Sequence, residues 1–278
     1  MSSVQKIFIL LFLVFLSACS MLQSNNLANS QKLAIENGFQ YAVLETKEFK
    51  IASFYRGLEK NKTGKIHIYI EGDGFAWKRR NKASSDPTPK TSLVLELAVA
   101  DSANTVVYLA RPCQYLLKLN DQVCTKSLWT SHRYSTKVIE VMNDAIDEII
   151  TISGGEPRLI LIGYSGGGTV ASLIASRRKD IAKLVTIAGN LDHKAWTDYH
   201  GDTSLYGSEN PVDVARDIMT IPQLHLFGKE DINVPINVVR LFFDKQSWPA
   251  NLEVKVIDSF NHSCCWVDKW PELLQENI

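Results

Sequence analysis

One serine in this sequence has the residue type and the neighbours that nucleophilic catalysis requires. Ser165 is the centre of Gly163-Tyr-Ser-Gly-Gly167, which fits the G-x-S-x-G pattern. The apolar run Leu159–Ile162 predicts a strand buried on both faces, and apolar residues recur at helical spacing from Gly168 onward. A strand that turns directly into a helix strains its central residue, and only glycine fits beside it. The pattern therefore predicts an exposed Ser165 hydroxyl near the N–H of Gly166, at the positive end of a helix.

Asp231 and His262 are the candidates for the acid and the base that a nucleophilic serine needs. Each follows the end of a predicted strand, as Ser165 does, and open α/β sheets bind ligands beyond the carboxyl ends of their strands. Two other carboxylates are alternatives for the acid: Glu230, which adjoins Asp231, and Asp192, which follows an earlier strand. Asp231 is favoured because the chain order serine, acid, histidine is the one expected with this serine motif.

The elements that must position these side chains alternate between strand and helix from about Lys65 to the C terminus. Such alternation predicts an α/β fold in which a mostly parallel central sheet carries helices on both faces. An earlier strand is predicted over Lys47–Tyr55. Because no linker-like stretch interrupts residues 46–278, one domain is expected there. The polar stretch Ala188–Thr220 is short for a full lid, so no large cap domain is expected.

From about Lys47 to the C terminus, the sequence resembles the α/β-hydrolase fold family through its nucleophile elbow and the order of its triad. The resemblance implies that Ser165 is the nucleophile, that His262 acts first as general base and then as general acid, and that Asp231 is the partner of His262. It implies a serine hydrolase that acts on carboxylic esters or related acyl bonds and needs no cofactor. The substrate stays open between a small-molecule ester, a lipid ester, a thioester and a peptide.

The same resemblance implies an oxyanion hole with two backbone donors. The segment Glu71-Gly-Asp-Gly74 takes the place of the His-Gly loop that follows the third strand in this family. The backbone N–H of Asp73, with that of Gly166, would then bind the oxyanion. Glu71 stands where the family has a histidine. Losing one such donor typically costs about 3–4 kcal/mol of transition-state stabilisation.

Residues 1–18 have the pattern of a bacterial lipoprotein signal peptide. One lysine precedes the ten apolar residues Ile7–Leu16, which are too few to span a bilayer comfortably but typical of a signal-peptide core. The stretch Leu16-Ser-Ala-Cys19 resembles a lipobox, in which the cysteine is acylated and becomes the mature N terminus, and Ser20 is typical of transfer to the outer membrane. An ordinary cleaved signal peptide, in which Cys19 is incidental, is the alternative.

This resemblance makes the chain similar to lipoprotein hydrolases of proteobacteria. We therefore predict acylation at Cys19 and a flexible tether over residues 19–45. The predicted location is the cell envelope, as an outer membrane lipoprotein that faces the periplasm.

Four further cysteines would meet an oxidising compartment after export, so disulfide bonds are expected. They are Cys113, Cys124, Cys264 and Cys265. Three pairings are possible, and we prefer Cys113 with Cys124, which closes a short loop. The adjacent Cys264 and Cys265 either form a bridge with each other or stay reduced. No metal site is predicted with His262, because adjacent cysteines suit chelation poorly and no C-x-x-C spacing supports one.

Composition limits the partners. The 278-residue chain has 30 basic and 30 acidic residues, so no bulk charge favours nucleic acid. The expected partners are an ester substrate and, through the lipid anchor, a membrane.

A second hypothesis is a non-catalytic envelope lipoprotein that binds a lipid or a protein partner on the same scaffold. The intact triad argues against it. The sequence leaves the oligomeric state open.

Overall fold

A central eight-stranded sheet organises the chain in the computed structural model, which describes residues 26–60 and 64–277. The strands are Gln40–Glu45 (β1), Lys50–Arg56 (β2), Lys65–Ile70 (β3), Trp77–Arg79 (β4), Lys82–Ala83 (β5), Val106–Leu109 (β6), Arg158–Tyr164 (β7), Ile181–Ile187 (β8), Gln223–Gly228 (β9) and Leu252–Ile257 (β10). The helices are residues 26–36 (α1), Leu93–Ala100 (α2), Thr136–Ser153 (α3), Gly166–Ala175 (α4), His193–His200 (α5), Pro211–Val214 (α6), Arg240–Asp244 (α7) and Trp266–Asn277 (α8). Strands β4 and β5 form a separate two-stranded hairpin.

The main sheet has the strand order β1-β2-β6-β3-β7-β8-β9-β10. Strand β2 is antiparallel to both of its neighbours, β1 and β6, and every later neighbouring pair is parallel. The predicted mostly parallel sheet is therefore confirmed. Because β7, β9 and β10 run in the same direction, the residues that follow their carboxyl ends meet at one edge of the sheet.

Apolar side chains cover both faces of this sheet. Along β7, Leu159 and Leu161 pack in a core cluster with side chains of α3 and α4. The alternate residues Ile160 and Ile162 pack in a second cluster with side chains of α2 and α8. Helices on both faces are confirmed, and they explain why this strand is apolar at every one of these positions.

The folded domain begins earlier than the sequence predicted. The tether expected over residues 19–45 is wrong for residues 26–45, which form α1 and β1. The asparagines and serines that suggested a tether are interleaved with apolar residues at helical spacing, and Leu27, Leu33 and Ala34 pack in the cluster that also holds α2 and α8. Strand β1 pairs with β2 along its whole length, and the turn over residues 46–49 joins them, so the strand expected from Lys47 begins at Lys50.

The segment between β8 and β9 contains the short helices α5 and α6. Trp196 and His200 of α5 both bond to the carbonyl oxygen of Asn233, in the loop after β9, which ties this segment to the main domain. In the part of the chain that the structure describes, no large cap is present.

The predicted signal peptide, Cys19 and the first part of the predicted tether lie outside the described residues. Across residues 26–60 and 64–277, no helix combines the length and the apolar character needed to cross a membrane.

Candidate active site

Ser165 occupies the sharp turn between β7 and α4. Its backbone has φ 52° and ψ −119°, a positive φ that costs a non-glycine residue conformational energy. A Cβ at Gly163 would overlap the carbonyl oxygen of Gly167, and a Cβ at Gly167 would overlap the carbonyl oxygen of Ile70. Glycine at both positions therefore lets α4 start directly against β3 and β7, which is the arrangement that the sequence motif predicted.

The structure brings the three predicted triad residues together. His262 Nε2 lies 3.1 Å from Ser165 Oγ, and His262 Nδ1 lies 2.8 Å from Asp231 Oδ2. The second oxygen of Asp231 accepts the backbone N–H groups of Asn233 and Val234 at 2.8 and 2.9 Å. Burial raises the pKa of Asp231, but the hydrogen bond and charge of His262 and these N–H donors outweigh it, so the pKa lies below its ordinary value. An ionised Asp231 fixes the imidazole with Nε2 towards the serine.

The two alternative acids do not contact His262. Glu230 is exposed, although it adjoins Asp231 in sequence. Asp192 is the N-cap of α5, where its carboxylate accepts the backbone N–H of Ala195 at 3.2 Å. The favoured Asp231 is thus the acid that faces the histidine.

Two aromatic residues that the sequence did not single out hold the loop that carries His262. The Tyr164 hydroxyl donates to the carbonyl oxygen of His262 at 3.0 Å, and Trp266 Nε1 donates to the same oxygen at 3.0 Å. The rings of Tyr164 and His262 are also in contact, with centroids 5.3 Å apart. Tyr164 directly precedes Ser165, so one residue of the motif adjoins Ser165 and holds the loop of His262. The sequence signal that could have identified Tyr164 was its position inside the G-x-S-x-G pattern.

Asp73 lies beside the serine turn, and its carboxylate is held from three sides. The Tyr134 hydroxyl donates to both carboxylate oxygens at 2.9 Å, Arg133 Nη1 donates at 2.6 Å, and Arg111 Nη1 lies at 3.5 Å. Burial raises the pKa of Asp73, but the charges of Arg133 and Arg111 outweigh it and lower the pKa. A Cβ at Gly166 would overlap this carboxylate, so the clamped Asp73 packs directly against the start of α4.

The two predicted oxyanion donors lie on adjacent segments. A Cβ built on Gly72 would lie 3.3 Å from the carbonyl oxygen of Tyr164 and 3.7 Å from Ser165 Cβ, so the loop over residues 71–74 borders Ser165. Within residues 26–60 and 64–277, the backbone N–H groups of Asp73 and Gly166 donate to no protein acceptor. The arrangement leaves both groups available to an oxyanion, and their role stays a prediction.

Glu71 is a buried acid at the edge of the same site. Its side chain accepts the backbone N–H of Gly72 at 2.8 Å and the hydroxyl of Tyr108 at 2.8 Å. Burial raises the pKa of Glu71 to about 7, although these two hydrogen bonds and the charge of Arg111 oppose the rise. Near neutral pH this carboxyl is therefore poised between its neutral and ionised forms.

A cleft of about 460 Å³ opens over Ser165 and His262. This volume falls within the range of pockets that bind small molecules. Aromatic and apolar walls come from Phe75, Trp77, Tyr164, Trp196 and Val234. The cleft is thus large enough for an acyl group or an alcohol group of modest size beside the serine.

Two disulfide bonds are present among the residues that the structure describes. Cys113 is bonded to Cys124, the pairing that the sequence favoured, and it closes a loop with a sequence separation of 11. Cys264 is bonded to Cys265, one of the two states that the sequence left open. Among the described residues, no group of three or more histidine, cysteine or acidic side chains could hold a metal ion.

Comparison with solved structures gives the fold class. An esterase of Pyrococcus furiosus superposes with a TM-score of 0.60 at 14% identity, over 88% of this chain and 93% of the esterase. A Klebsiella pneumoniae protein provisionally named a dienelactone hydrolase superposes with a TM-score of 0.57 at 16% identity, over 86% of this chain and 95% of that protein. With the observed strand order and serine turn, these likenesses show that the chain has the α/β-hydrolase fold.

Sequence comparison finds similarity over a shorter part of the chain than structure comparison does. No family model matches the chain. Over 84 residues the chain is 33% identical to a Salmonella typhimurium protein provisionally named a carboxymethylenebutenolidase. That match spans 30% of this chain and 28% of the relative, so the chain matches less than a third of the length of this curated relative.

Proposed function

We propose that this protein is a serine hydrolase that cleaves carboxylic esters or related acyl bonds through an acyl-enzyme on Ser165. The observation that carries the proposal is the unbroken hydrogen-bond chain from Ser165 through His262 to the buried Asp231. The fold is shared with an esterase and with a protein provisionally named a dienelactone hydrolase, which supports the reaction class.

In the proposed mechanism, Ser165 Oγ attacks the carbonyl carbon of the substrate while His262 Nε2 takes the hydroxyl proton. The N–H groups of Asp73 and Gly166 bind the negative oxygen of the tetrahedral intermediate. His262 then returns the proton to the leaving group, which departs as an alcohol and leaves the acyl-enzyme. Water, deprotonated by His262, attacks the acyl carbon in the same way, and the free acid and Ser165 are restored.

A fluorophosphonate probe tests this proposal, because it reacts with an activated serine and not with an ordinary one. The wild-type chain should be labelled and should hydrolyse p-nitrophenyl acetate, and Ser165→Ala should lose both properties without a change in thermal stability. Ser102→Ala is the matched control, since Ser102 is exposed and precedes β6 at the opposite edge of the sheet. A wild-type chain that is neither labelled nor active would favour the non-catalytic binding hypothesis, and labelling that survives Ser165→Ala would remove the assigned nucleophile.

We also propose that Cys19 carries the lipid anchor of an envelope lipoprotein. The support is the sequence Leu16-Ser-Ala-Cys19 after an apolar segment. Each buried acyl methylene contributes about 0.8 kcal/mol, so several chains would hold the protein on a membrane. In cells, the wild-type chain should enter the detergent phase on phase separation, whereas Cys19→Ala should accumulate as a precursor or a soluble form. A wild-type chain found wholly in the aqueous phase would contradict the anchor and would leave the hydrolase proposal intact.

A further inference from the structure

The hairpin of β4 and β5 is strongly basic, and its charged side chains are exposed to solvent. The sequence Trp77-Lys-Arg-Arg-Asn-Lys82 has four cations in six residues, all of them exposed. Arg80 pairs with Asp202 at 3.3 Å. In the described part of the chain, no acidic side chain lies within ion-pairing distance of Lys78, Arg79 or Lys82. We call residues 77–82 the basic hairpin.

The basic hairpin stands at the mouth of the catalytic cleft. It follows the predicted oxyanion loop directly, and Trp77 lines the cleft. Arg80 fastens the hairpin to the end of α5, because its guanidinium donates to the carbonyl oxygens of His200 and Gly201 at 3.2 and 2.8 Å. The hairpin is therefore held in a fixed place beside the opening.

Large apolar side chains are exposed on the same rim. Trp77 is 40% exposed, Tyr199 on α5 is 55% exposed, and Ile232 is 82% exposed. Ile232 lies between Asp231 and Asn233, and the carbonyl oxygen of Asn233 bonds to two side chains of α5. The three apolar side chains thus belong to segments that contact one another around the cleft. We call this set, together with the basic hairpin, the mouth rim.

Positive charge is concentrated in the segment of this rim that contains the basic hairpin. From Phe75 to Lys90 there are five cations and one acid, Asp86, whereas the whole chain has equal numbers of basic and acidic residues. Lys78, Arg79 and Lys82 do not line the cleft, so a small anion bound inside the cleft would not meet them. Their charge instead suits an extended negative surface outside it.

We propose that the mouth rim docks on an anionic phospholipid membrane and that the enzyme hydrolyses esters carried in that membrane. Exposed cations attract negative headgroups, while tryptophan, tyrosine and an aliphatic side chain enter the interface between headgroups and acyl chains. Docked in this way, the cleft opens onto the lipid, so a membrane-borne ester reaches Ser165 without crossing water. The substrate part rests on the hydrolase function proposed above, whereas the docking part does not.

The docking part is tested with the full chain carrying Ser165→Ala, sedimented with vesicles of phosphatidylglycerol or of phosphatidylcholine alone. Every protein compared, in this test and the next, also carries Cys19→Ala, so that no lipid anchor at this position holds the chain on both kinds of vesicle and any remaining contribution of the N-terminal segment is common to all of them. Each basic residue near a negative surface contributes about fivefold to binding. Arg79→Gln should therefore weaken binding to phosphatidylglycerol about fivefold, and Lys78→Gln with Arg79→Gln and Lys82→Gln about a hundredfold. Lys179→Gln is the matched control, because Lys179 is exposed at the amino end of β8, at the opposite edge of the sheet.

The substrate part is tested with methylumbelliferyl oleate dissolved in the same vesicles and with p-nitrophenyl acetate in water. The hydrolysis rate should be higher on phosphatidylglycerol than on phosphatidylcholine, and Arg79→Gln should lower the vesicle rate while the rate in water is unchanged. Equal binding to both vesicles, or equal losses for Arg79→Gln and Lys179→Gln, would overturn docking. Docking without hydrolysis of either ester would instead refute the hydrolase function, and hydrolysis in water with none on vesicles would refute the membrane-borne substrate.

Discussion

Replacing Glu71 with glutamine should remove a large pH dependence from the stability of this protein. Glu71 is 4% exposed and is bonded to Tyr108 and to the backbone of Gly72. Burial raises its pKa from 4.5 to about 7 in the folded chain. Glutamine has nearly the same shape and does not ionise, so the substitution removes the titration with little change in packing.

The sign and size of the effect follow from this pKa. Between pH 4.5 and about 7 the folded chain binds the Glu71 proton more tightly than the unfolded chain does. The contribution of Glu71 is therefore fully present below about pH 4.5 and is lost as the pH rises through about 7. This pKa difference corresponds to about 3 kcal/mol in the free energy of unfolding, or about 6–12 °C in Tm for a chain of this size.

The assay is urea unfolding of wild type and Glu71→Gln across this pH range. Other buried titrating groups, such as Asp101 and His225, are common to both proteins, so the difference between the two curves isolates Glu71. Glu71→Gln should gain about 3 kcal/mol relative to wild type on going from acid to neutral pH. Tyr108→Phe removes a donor to the carboxylate and should move the midpoint to higher pH. A difference between wild type and Glu71→Gln that stays constant with pH would refute the assigned burial of an ionisable Glu71.

Three further predictions concern the triad, the serine turn and the disulfide. Asp231→Asn should lower kcat for p-nitrophenyl acetate about 10⁴-fold because the histidine loses its orienting carboxylate, whereas Glu230→Gln should change it little; the reverse result would move the acid by one residue. Gly163→Ala should abolish fluorophosphonate labelling because its Cβ would overlap backbone of α4, and full labelling would show that the turn relaxes. Opening the bond between Cys113 and Cys124 by substitution of both with serine should cost about 3 kcal/mol of stability, and an unchanged Tm would contradict that loop constraint.

The serine turn could be predicted from sequence because its causes are local. An apolar strand, a glycine beside the serine on each side and a helix all lie within one short stretch of chain, and the steric need for glycine acts between near neighbours. Asp231 and His262 could be predicted as candidates because strand ends are visible as the ends of apolar runs, and parallel strands bring those ends together.

Other features depend on segments that are distant in the chain. The sequence favoured Asp231 on chain order, but that order does not itself separate Asp231 from the adjacent Glu230, because neighbouring side chains differ only in direction. The packing of the loop after β9 decides which one is buried. The clamp on Asp73 joins it to Arg133 and Tyr134, sixty and more residues away. No local pattern marks such a partner.

The N-terminal elements α1 and β1 also depend on contacts with distant segments that the sequence does not reveal. The asparagines and serines at the start of residues 26–45 suggested a tether, and one short helix and one strand are not stable alone in water. They become ordered because α1 finds the apolar surface that it shares with α2 and α8, and because β1 finds the free edge of β2. The sequence by itself determined the serine turn and the class of fold, since local sterics and apolar periodicity specify both. Only the tertiary structure decided which carboxylate faces His262, what clamps Asp73 and where the domain begins, because each depends on burial against a partner far along the chain.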